Sequence, residues 1–597
     1  MPRAAGLIDF SALGSLPTGD LNAAEGTNGL QTVRLAGIDI DWSRGFADVI
    51  CKDGVLAIAV GSPERGRGDA KRWADRYLVE GERAPNDVDG GFAVVIVDCR
   101  QRKVLLFVDR FSIETLCYGS ENGKIGFATS ARDVPGVGKT ISAQAIYDYL
   151  YFHMIPSPKT IFTQIRRVEP AHTVVINGHS VRASPYWVPS FTEDNDRDLQ
   201  RRLDEFVALV ERSVAAEAAE AAPACFLSGG TDSSTIAGML ARLTGERVHA
   251  YSIGFETKGY DEMEYARIAA RHFNLDHHEY YITPGDLVRS IPKVASSFDQ
   301  PFGNSSVLPA YYCALQAHGD GVTRMLAGDG GDELFGGNSR YAAQKLFEAY
   351  HKLPGAVRRT LLEPPARSWP LFKRVPGFRQ VGGYVRHSMV TMPARLETFN
   401  LLHQPEMQSM LESDFAANID AHHPYDQQKA IWDAVDARTL TNRMLAYDWK
   451  FTLADSDLPK VRGASRLAGV SVGYPFLSRA LTDFSLSIPP KWKLKGLKLR
   501  WFFKEALRDF LPEAILRKKK HGFGLPFGFW VLEHADLRDL VRDALQGISR
   551  RGVVRPQFVS ALFDRHLAEA PGYYGEMVWI LMMLELWLLA QENATSR

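Results

Sequence analysis

Cysteine is scarce in this 597-residue chain, and the few that occur are widely spaced, with no CxxC pair. The five are Cys51, Cys99, Cys117, Cys225 and Cys313. Such spacing argues against a disulfide framework and against a cysteine-ligated zinc site, and it fits a reducing compartment. The chain also lacks a recognisable signal peptide and any apolar run long enough to cross a bilayer. We therefore expect a cytoplasmic protein.

An excess of either charge is absent as well, since Lys+Arg and Asp+Glu both number 70. A balanced chain offers no extended basic surface, so we expect neither nucleic acid nor a membrane among its partners. The length is too great for one ordinary domain. A polar, acidic stretch over residues 189–200 marks the predicted boundary, which gives domains over residues 1–190 and 200–597.

The first predicted domain is rich in short apolar runs of strand length. The candidate strands are residues 54–60, 91–97, 103–108, 127–129 and 173–176. The second and third of these runs are joined by a polar turn, which predicts a hairpin, and a helix is expected around residues 143–152. Together these elements predict an antiparallel β-sandwich.

The second predicted domain opens with a strand, a glycine loop and a helix. The apolar run 224–227 leads into Ser228, Gly229 and Gly230, and a stretch of helix formers follows. Such a junction offers unpaired backbone N–H groups and the positive end of a helix dipole to a phosphate. Asp232 is placed where a carboxylate could hold Mg²⁺. The alternative is a glycine turn whose Asp and Ser residues cap the helix.

A second strand end carries an acidic loop. Residues 325–337 hold Asp329, Asp332 and Glu333 among several glycines. Three acids so close repel one another unless a cation or a substrate group compensates them. A solvated acidic turn is the simpler interpretation, but the two loops together suggest opposite walls of one nucleotide–Mg²⁺ site.

Strands and helices alternate beyond the first loop, which predicts a parallel sheet with right-handed crossovers. Ligands on such sheets bind beyond the carboxyl ends of the strands. The segment Ser252, Ile253 and Gly254 ends the next strand, so it is expected to share the cleft with both loops. Simple burial in the core explains Ile253 about equally well.

The loop pair, SGGTDSS and GDGGDE, resembles the ATP-pyrophosphatase half of the asparagine synthetase family. That resemblance implies a parallel-sheet, adenine nucleotide α-hydrolase-like domain with extra helices, and ATP and Mg²⁺ as cofactors. It implies Lys520, Asp329 and Glu333 as catalytic residues, and Asp232 and Asp332 as metal ligands. The nucleotide-binding residues that it implies are Leu227, Ser228, Gly229, Gly230, Asp232, Ser233, Ser234, Ser252, Ile253, Gly254, Gly328 and Gly330.

The N-terminal part resembles the glutaminase half of the same family, an N-terminal-nucleophile (Ntn) hydrolase-like sandwich. A working glutaminase needs a terminal cysteine whose own α-amine acts as the base. Aligning residues 5–10, AGLIDF, with the family's pattern places Pro2 at that position, and proline has neither a thiol nor a primary amine. Ser112 and Thr115 also replace a family Gly and Pro. We therefore expect a catalytically inactive domain, with glutamine hydrolysis by Cys51 as the remote alternative.

A further mismatch lies in residues 460–478, where the family's charged positions are held by other residues. The positions are Arg462, Gly463, Ser471, Gly473 and Ser478. An enzyme that holds zwitterionic aspartate needs paired charges around it. The replacements therefore predict a wider, less charged acceptor pocket.

These features predict ATP-dependent amide formation through an acyl-adenylate. The resemblance leaves three amine donors open: free ammonia, an amine within a small substrate, as in β-lactam synthetases, and the N-terminal amine of a peptide, as in lasso-peptide macrolactam synthetases. We favour ring closure of a lasso precursor peptide onto an Asp or Glu side chain. The expected partners are then the core peptide, a leader-processing protease and a leader-binding protein. A scaffold with a vestigial nucleotide site is the non-enzymatic alternative.

Overall fold

The computed structural model describes residues 3–14, 24–25, 30–61, 68–178, 180–193, 198–219, 222–364, 378–519 and 524–595. Its strands are β1 (Ala4–Asp9), β2 (Ala24–Glu25), β3 (Leu30–Leu35), β4 (Ile38–Ser43), β5 (Ala47–Lys52), β6 (Val55–Gly61), β7 (Phe92–Asp98), β8 (Lys103–Val108), β9 (Cys117–Glu121), β10 (Lys124–Ala128), β11 (Ile165–Arg167), β12 (His172–Asn177), β13 (Ser180–Pro185), β14 (Ala224–Phe226), β15 (His249–Gly254), β16 (Asp276–Tyr281), β17 (Arg324–Leu326), β18 (Ser471–Gly473), β19 (Leu494–Lys495) and β20 (Lys498–Leu499).

The helices that position the site are α1 (Ala70–Glu80), α2 (Ala143–Phe152), α3 (Leu199–Ala218), α4 (Thr231–Thr244), α5 (Met263–Phe273), α6 (Pro284–Ser297), α7 (Val307–Gly319), α8 (Gly331–Phe335) and α9 (Ser339–His351). Further α-helices of five residues or more are Phe378–Met389, Ser413–Ala417, His423–Ala434, Leu440–Asp448, Leu458–Ala468, Arg479–Ser487, Trp501–Ala506, Glu513–Arg517, Phe527–Glu533, Ala535–Arg550, Pro556–Ala561 and Pro571–Thr595.

The N-terminal strands form two antiparallel sheets packed face to face, as the sequence predicts. Within the described residues, one sheet has the order β11-β9-β10-β1-β4-β3-β2 and the other β13-β12-β8-β7-β6-β5. Ile8 and Ile40 of the first sheet share a core with Leu56 and Val95 of the second. The predicted hairpin is present, with Ala93 opposite Val108 and Asp98 opposite Lys103.

The second sheet is covered on both of its faces. All seven residues of β7 are buried, because alternate side chains point into the sandwich core and onto helix α1. Val94 and Phe107 pack on the α1 face with Trp73 and Tyr77. Burial on both faces removes the need for polar alternation, so these strands are continuous apolar runs that were easy to predict.

The C-terminal domain is built on a parallel sheet of order β16-β15-β14-β17-β18. Every pairing in this sheet is parallel. Ala224 of β14 faces the layer that contains α6 and α7, whereas its neighbour Cys225 faces the layer of α3 and α4. This arrangement confirms the predicted two-domain fold, with its N-terminal antiparallel sandwich and C-terminal parallel sheet. The exact domain bounds stay a prediction.

Some element boundaries differ from the predicted ones for local reasons. Helix α3 begins at Leu199, inside the predicted boundary stretch 189–200, because the Asp198 side chain accepts a hydrogen bond from the Arg201 N–H and caps the helix. Strands β3, β4 and β5 were not predicted. The sequence of β4, IDIDWS, does alternate with a period of two, whereas β3 and β5 are irregular in burial and carry neither a continuous apolar run nor a clear period.

The helix Pro571–Thr595 runs through the centre of the helical layer. By length and composition its stretch Pro571–Ala594 would suit a membrane span, but 67% of the most apolar window is buried within the protein. Trp579 and Trp587 lie in the same core as α6 and α7. Such burial is typical of a core helix, so the length of this helix is weak evidence for a membrane.

An ion pair at the domain interface joins β11 to the segment after α6. Arg167 Nη2 lies 2.8 Å from Asp299 Oδ2, and the backbone N–H of Ala131 donates to the same oxygen at 3.3 Å. Burial alone would raise the pKa of Asp299, but the Arg167 guanidinium and this N–H outweigh it and lower the pKa. Asp299 thus makes an interdomain contact that was not predicted.

We expect Arg167→Met to lower the free energy of unfolding by about 3–5 kcal/mol, because it leaves the Asp299 carboxylate without its buried partner. Urea unfolding followed by fluorescence measures this change. The control is Arg517→Met, whose pair with Glu513 has side chains 79% and 71% exposed and is expected to contribute little. An unchanged unfolding midpoint for Arg167→Met, or an equal loss in both variants, would contradict the interpretation.

Candidate active site

The two glycine-containing loops leave neighbouring strands at the same edge of the parallel sheet. Ala224 of β14 pairs with Met325 of β17, and Cys225 pairs with Leu326. Since the strands are parallel, the loops that follow them emerge side by side. The first loop, residues 227–230, leads into α4, and the second, residues 327–330, leads into α8.

The first loop is shaped by glycine and by paired serine hydroxyls. Gly229 has φ +65°, and a Cβ built there would lie 2.4 Å from the backbone nitrogen of Ala266, so no larger residue fits. Ser228 Oγ lies 3.0 Å from Ser233 Oγ. Helix α4 begins at Thr231, which places Asp232, Ser233 and Ser234 in its first turn. Such a helix start is suited to binding an anion.

An arginine that we did not predict lies between the two carboxylates assigned to the metal. Arg500 Nη2 donates to Asp232 Oδ2 and also pairs with Asp332 Oδ1, while Nη1 donates to Thr231 Oγ1. Arg500 is only 5% exposed. The structure thus brings Asp232 and Asp332 to one nitrogen atom. The acidic loop predicted a cation or substrate group that compensates its carboxylates, but nothing in the sequence distinguished Arg500 among 70 lysines and arginines.

Glycines allow this close approach of the two loops. A Cβ on Gly331 would lie 2.3 Å from Asp232 Oδ1, and one on Gly328 would lie 2.9 Å from Asp232 Cβ. A Cβ on Gly337 would lie 1.6 Å from Asp332 Oδ1. Gly330 is different, because its φ is +95° and its nearest neighbour is the Leu477 side chain rather than a carboxylate. Three glycines are therefore required for space around the carboxylates.

The acidic residues have different surroundings and different proton affinities. Burial raises the pKa of Asp329 to about 6, and nearby Lys460 opposes this rise. Burial also raises the pKa of Glu333 to about 8, and Asp457 adds to that rise. Lys460 Nζ donates to Asp457 Oδ1 at 2.7 Å. At neutral pH Asp329 is thus mostly ionised and Glu333 mostly protonated, so the loop offers one proton acceptor and one proton donor.

The residues predicted to line an adenosine pocket are tightly packed. Ser252 Oγ donates to the Leu227 carbonyl oxygen at 2.5 Å and lies 2.7 Å from His277 Nε2. Leu227 and Ile253 are buried, and a Cβ on Gly254 would meet the Tyr281 ring at 2.6 Å. These contacts fix the strand end beside the first loop. The part these residues would play in nucleotide binding stays a prediction.

Lys520 lies outside the described residues, but Lys518, two residues before it, contacts the first loop. Lys518 Nζ lies 3.0 Å from Glu262 Oε2 and 3.4 Å from the carbonyl oxygens of Ser228 and Gly229. It also lies over the Tyr265 ring. A role for Lys518 was not predicted. The structure shows that Lys518 ties the segment to the first loop.

The five positions predicted to widen one acceptor wall lie in separate environments. A Cβ on Gly463 would meet the Phe298 ring at 2.7 Å, and one on Gly473 would lie 2.6 Å from Glu217 Oε2. Arg462 Nη2 donates to Thr115 Oγ1 at 3.1 Å, across the domain interface. Ser471 is exposed at the start of β18, and Ser478 caps the helix Arg479–Ser487. These contacts serve packing and capping, so they do not support a shared wall.

No activated thiol is found among the cysteines, all five of which lie in the described part of the chain. Cys51, Cys117, Cys225 and Cys313 are buried. Burial raises the pKa of Cys99 to about 11 and that of Cys117 to about 12. A thiol with so high a pKa is a poor nucleophile at neutral pH. Pro2 lies outside the described residues, so the predicted loss of the glutaminase nucleophile stays a prediction.

Comparison with known proteins identifies two family domains in this chain. The model described as asparagine synthase matches residues 205–589, and the model described as glutamine amidotransferase domain matches residues 58–187. Asparagine synthetase [glutamine-hydrolyzing] 1 of Bacillus subtilis is 22% identical over 514 residues, which are 85% of this chain and 78% of the relative. A Mycobacterium bovis protein whose name contains the words asparagine synthetase is 24% identical over 539 residues, 87% of this chain and 79% of the relative.

A third relative has a different name. Amidase chyE of Penicillium rubens is 23% identical over 487 residues, which are 74% of this chain and 70% of that protein. The first two similarities, which cover 85% and 87% of this chain, extend into both of its domains.

We expect Glu333→Gln to flatten the pH dependence of stability. Between the ordinary glutamate pKa and about 8, the folded protein keeps the Glu333 proton, whereas the unfolded chain has lost it. The free energy of unfolding of the wild type therefore falls, by up to about 1.4 kcal/mol per pH unit, as pH rises through this window. Gln cannot titrate, so its slope is smaller. Urea unfolding at several pH values measures both slopes.

The control variant is Glu533→Gln, which alters an exposed glutamate at the end of the helix Phe527–Glu533. Its slope should equal that of the wild type. Equal slopes for Glu333→Gln and the wild type would show that Glu333 loses its proton in the ordinary range.

Proposed function

The chain belongs to the asparagine synthase family and is an ATP-dependent carbon–nitrogen ligase; from this premise we propose that Mg–ATP binds where the two loops meet. The observation that carries the proposal is the convergence of Asp232 and Asp332, from neighbouring strands, on one nitrogen of Arg500. The start of α4 is suited to the phosphates. Ser228, Ser233 and the backbone N–H groups of the loop would hold the pyrophosphate.

The residues present fit a magnesium ion. Carboxylate oxygens are the ligands that Mg²⁺ prefers, and Asp232 Oδ1 is buried without a hydrogen-bond partner in the described structure. Asp232 and Asp332 would hold the ion, whose charge would neutralise that of the departing pyrophosphate. Arg500 contributes a second, fixed positive charge beside the same phosphates.

We propose that the reaction has two halves. In the first, a substrate carboxylate oxygen attacks the α-phosphorus of ATP. The bond between the α-phosphorus and the oxygen that bridges it to the β-phosphate breaks, and pyrophosphate leaves. In the second, an amine attacks the acyl carbon, the acyl–oxygen bond to AMP breaks, and an amide forms. The amine must lose a proton, and Asp329 is mostly ionised and able to accept it. Lys520 would stabilise the charge on the tetrahedral intermediate.

The amine in our proposal does not come from glutamine. Proline at position 2, which has no thiol, and burial that raises the pKa of the alternative nucleophile Cys51 support an N-terminal domain without glutaminase chemistry. We therefore propose that the amine is the N-terminus of a precursor peptide, which closes a macrolactam ring onto an Asp or Glu side chain. The partners in this proposal are the core peptide, a leader-processing protease and a leader-binding protein, in the cytoplasm.

Two other donors fit the same site. An ammonia-dependent asparagine-forming reaction needs no change in the two loops. A small-molecule amide ligase, which joins an amine and a carboxylate of one substrate, is equally compatible with them. The choice among the three therefore depends on substrates rather than on the nucleotide site.

We expect Asp232→Asn to abolish ATP–pyrophosphate exchange, because it removes a carboxylate oxygen from the proposed magnesium site. Exchange of labelled pyrophosphate into ATP, with each candidate carboxylate present, measures the first half-reaction alone. Asp433→Asn, at an exposed residue paired with Lys429, is the control and should retain full exchange. Full exchange in Asp232→Asn would refute the proposed metal ligand.

Asp329→Asn is expected to separate the two half-reactions. It should retain ATP–pyrophosphate exchange and lose amide formation, because only the second half needs the base. In the wild type, the rate of amide formation should rise with pH through about 6 as Asp329 loses its proton. Near wild-type amide formation in Asp329→Asn would rule this residue out as the base.

We expect a core peptide with an Asp or Glu to be the substrate that yields AMP and a product lighter by one water. Mass spectrometry of reactions with that peptide, with aspartate plus ammonium, and with small amino acids compares the three donors. A peptide with an acetylated N-terminus is the control and should remain linear. AMP formation with aspartate and ammonium alone would favour the ammonia-dependent alternative.

A further inference from the structure

A cluster of imidazoles and carboxylates lies at the end of the parallel sheet opposite the two loops. His249 is the first residue of β15, and it pairs with Asp276, the first residue of the edge strand β16. Tyr251 pairs with His278, so His278 lies on the same face two residues further along. The two glycine-containing loops follow the carboxyl ends of β14 and β17, whereas the cluster lies at the amino ends of the parallel strands β15 and β16, so the cluster is separate from the proposed ATP site.

Three ligand-type atoms of this cluster form a small triangle. His249 Nδ1 lies 3.0 Å from His278 Nε2 and 2.9 Å from Asp276 Oδ2, and His278 Nε2 lies 3.4 Å from that same oxygen. With metal–ligand bonds of about 2.0–2.2 Å, two ligands of one tetrahedral or octahedral ion lie about 3.0–3.5 Å apart. The triangle therefore matches three ligand positions on one ion.

Hydrogen bonds alone do not satisfy this triangle. A neutral imidazole carries one N–H, and a carboxylate oxygen only accepts. If His278 Nδ1 carries the proton, its Nε2 is an acceptor, and the single N–H of His249 cannot serve both His278 Nε2 and Asp276 Oδ2 fully. A cation between the three atoms would engage a lone pair from each of them.

A fourth residue orients one of the imidazoles. Asp320, just beyond α7, has Oδ2 at 3.3 Å from His278 Nδ1, and the Tyr251 hydroxyl donates to the same oxygen at 2.9 Å. The Tyr251 ring also stacks on the His278 ring, with centroids 4.6 Å apart. A carboxylate that accepts from the remote nitrogen of a ligating histidine is the usual arrangement around zinc.

We propose that His249, Asp276 and His278 bind a divalent transition-metal ion, with Zn²⁺ as the best match. Two imidazoles and one carboxylate, with a remaining position open to water, are a ligand set that Zn²⁺ uses. Exposure of all three side chains, between a third and a half, gives the ion direct access from solvent. The ion would link the edge strand β16 to β15 and so stabilise that edge of the sheet.

The sequence did not reveal this site because its ligands are distant in the chain. The adjacent residues His277 and His278 lack the spacing of a zinc motif in the sequence. His277 in fact points to the opposite face, where its Nε2 lies 2.7 Å from Ser252 Oγ. The strand register, rather than local spacing, brings His278 to His249.

Metal binding to the full-length protein tests the proposal directly. After dialysis against EDTA, the wild type should bind one Co²⁺ with visible d–d absorption bands, and Zn²⁺ should displace it. Binding of Zn²⁺ should raise the thermal unfolding midpoint by mass action. Metal analysis after gel filtration gives the stoichiometry.

Variants identify the ligands. His249→Ala, at a half-exposed side chain, should remove the Co²⁺ bands and the thermal shift, and Asp320→Asn should weaken binding by about 10- to 100-fold. The control is His422→Ala, which alters an exposed histidine whose ring nitrogen lies 3.5 Å from Asp426 Oδ1. No bound Co²⁺ or Zn²⁺ in the wild type, or equal binding in His249→Ala, would overturn the proposal. Because exchange of pyrophosphate is a separate readout, failure here leaves the proposed ligase function unaffected.

Discussion

The pairing of Arg500 with Asp232 and Asp332 is the interaction on which the site depends. Each carboxylate belongs to a different loop, and both pair with the same guanidinium nitrogen. Without a cation, two such carboxylates would repel each other and hold the loops apart. The guanidinium, itself almost fully buried, sets how closely the strand ends can approach. Gly328, Gly331 and Gly337 follow from this constraint, since any side chain there would enter the same space.

The same loop separates two acidic residues by their environment. Asp329 retains a nearby lysine and stays mostly ionised, whereas Glu333 faces another carboxylate in a buried position and stays protonated. One short segment thus presents both protonation states at neutral pH. An ionised acid beside a protonated one suits a reaction that must remove a proton from an amine beside a negatively charged phosphate.

The sequence predicted the parts of the fold that are continuous apolar runs or strand–glycine–helix junctions. Strand β8 and helix α2 were predicted with their observed bounds, because local pattern determines them. Arg500 could not be predicted, since its partners are more than 150 residues away and any of many basic residues could have compensated the acids. The environments of Arg462 and Gly463 were also missed, because the contact of Arg462 with Thr115 and that of Gly463 with Phe298 join distant parts of the chain and leave no periodic signal.

The helix α2 lies in the N-terminal part of the chain, yet its apolar side chains belong to the core of the C-terminal helices. Tyr149 donates its hydroxyl proton to the carbonyl oxygen of Ile580 at 2.9 Å. Because they share this core, the two halves of the chain stabilise each other, whatever chemistry the first half performs. Deleting residues 1–190 would expose apolar surface on the C-terminal helices, so the N-terminal half is required for packing independently of any reaction.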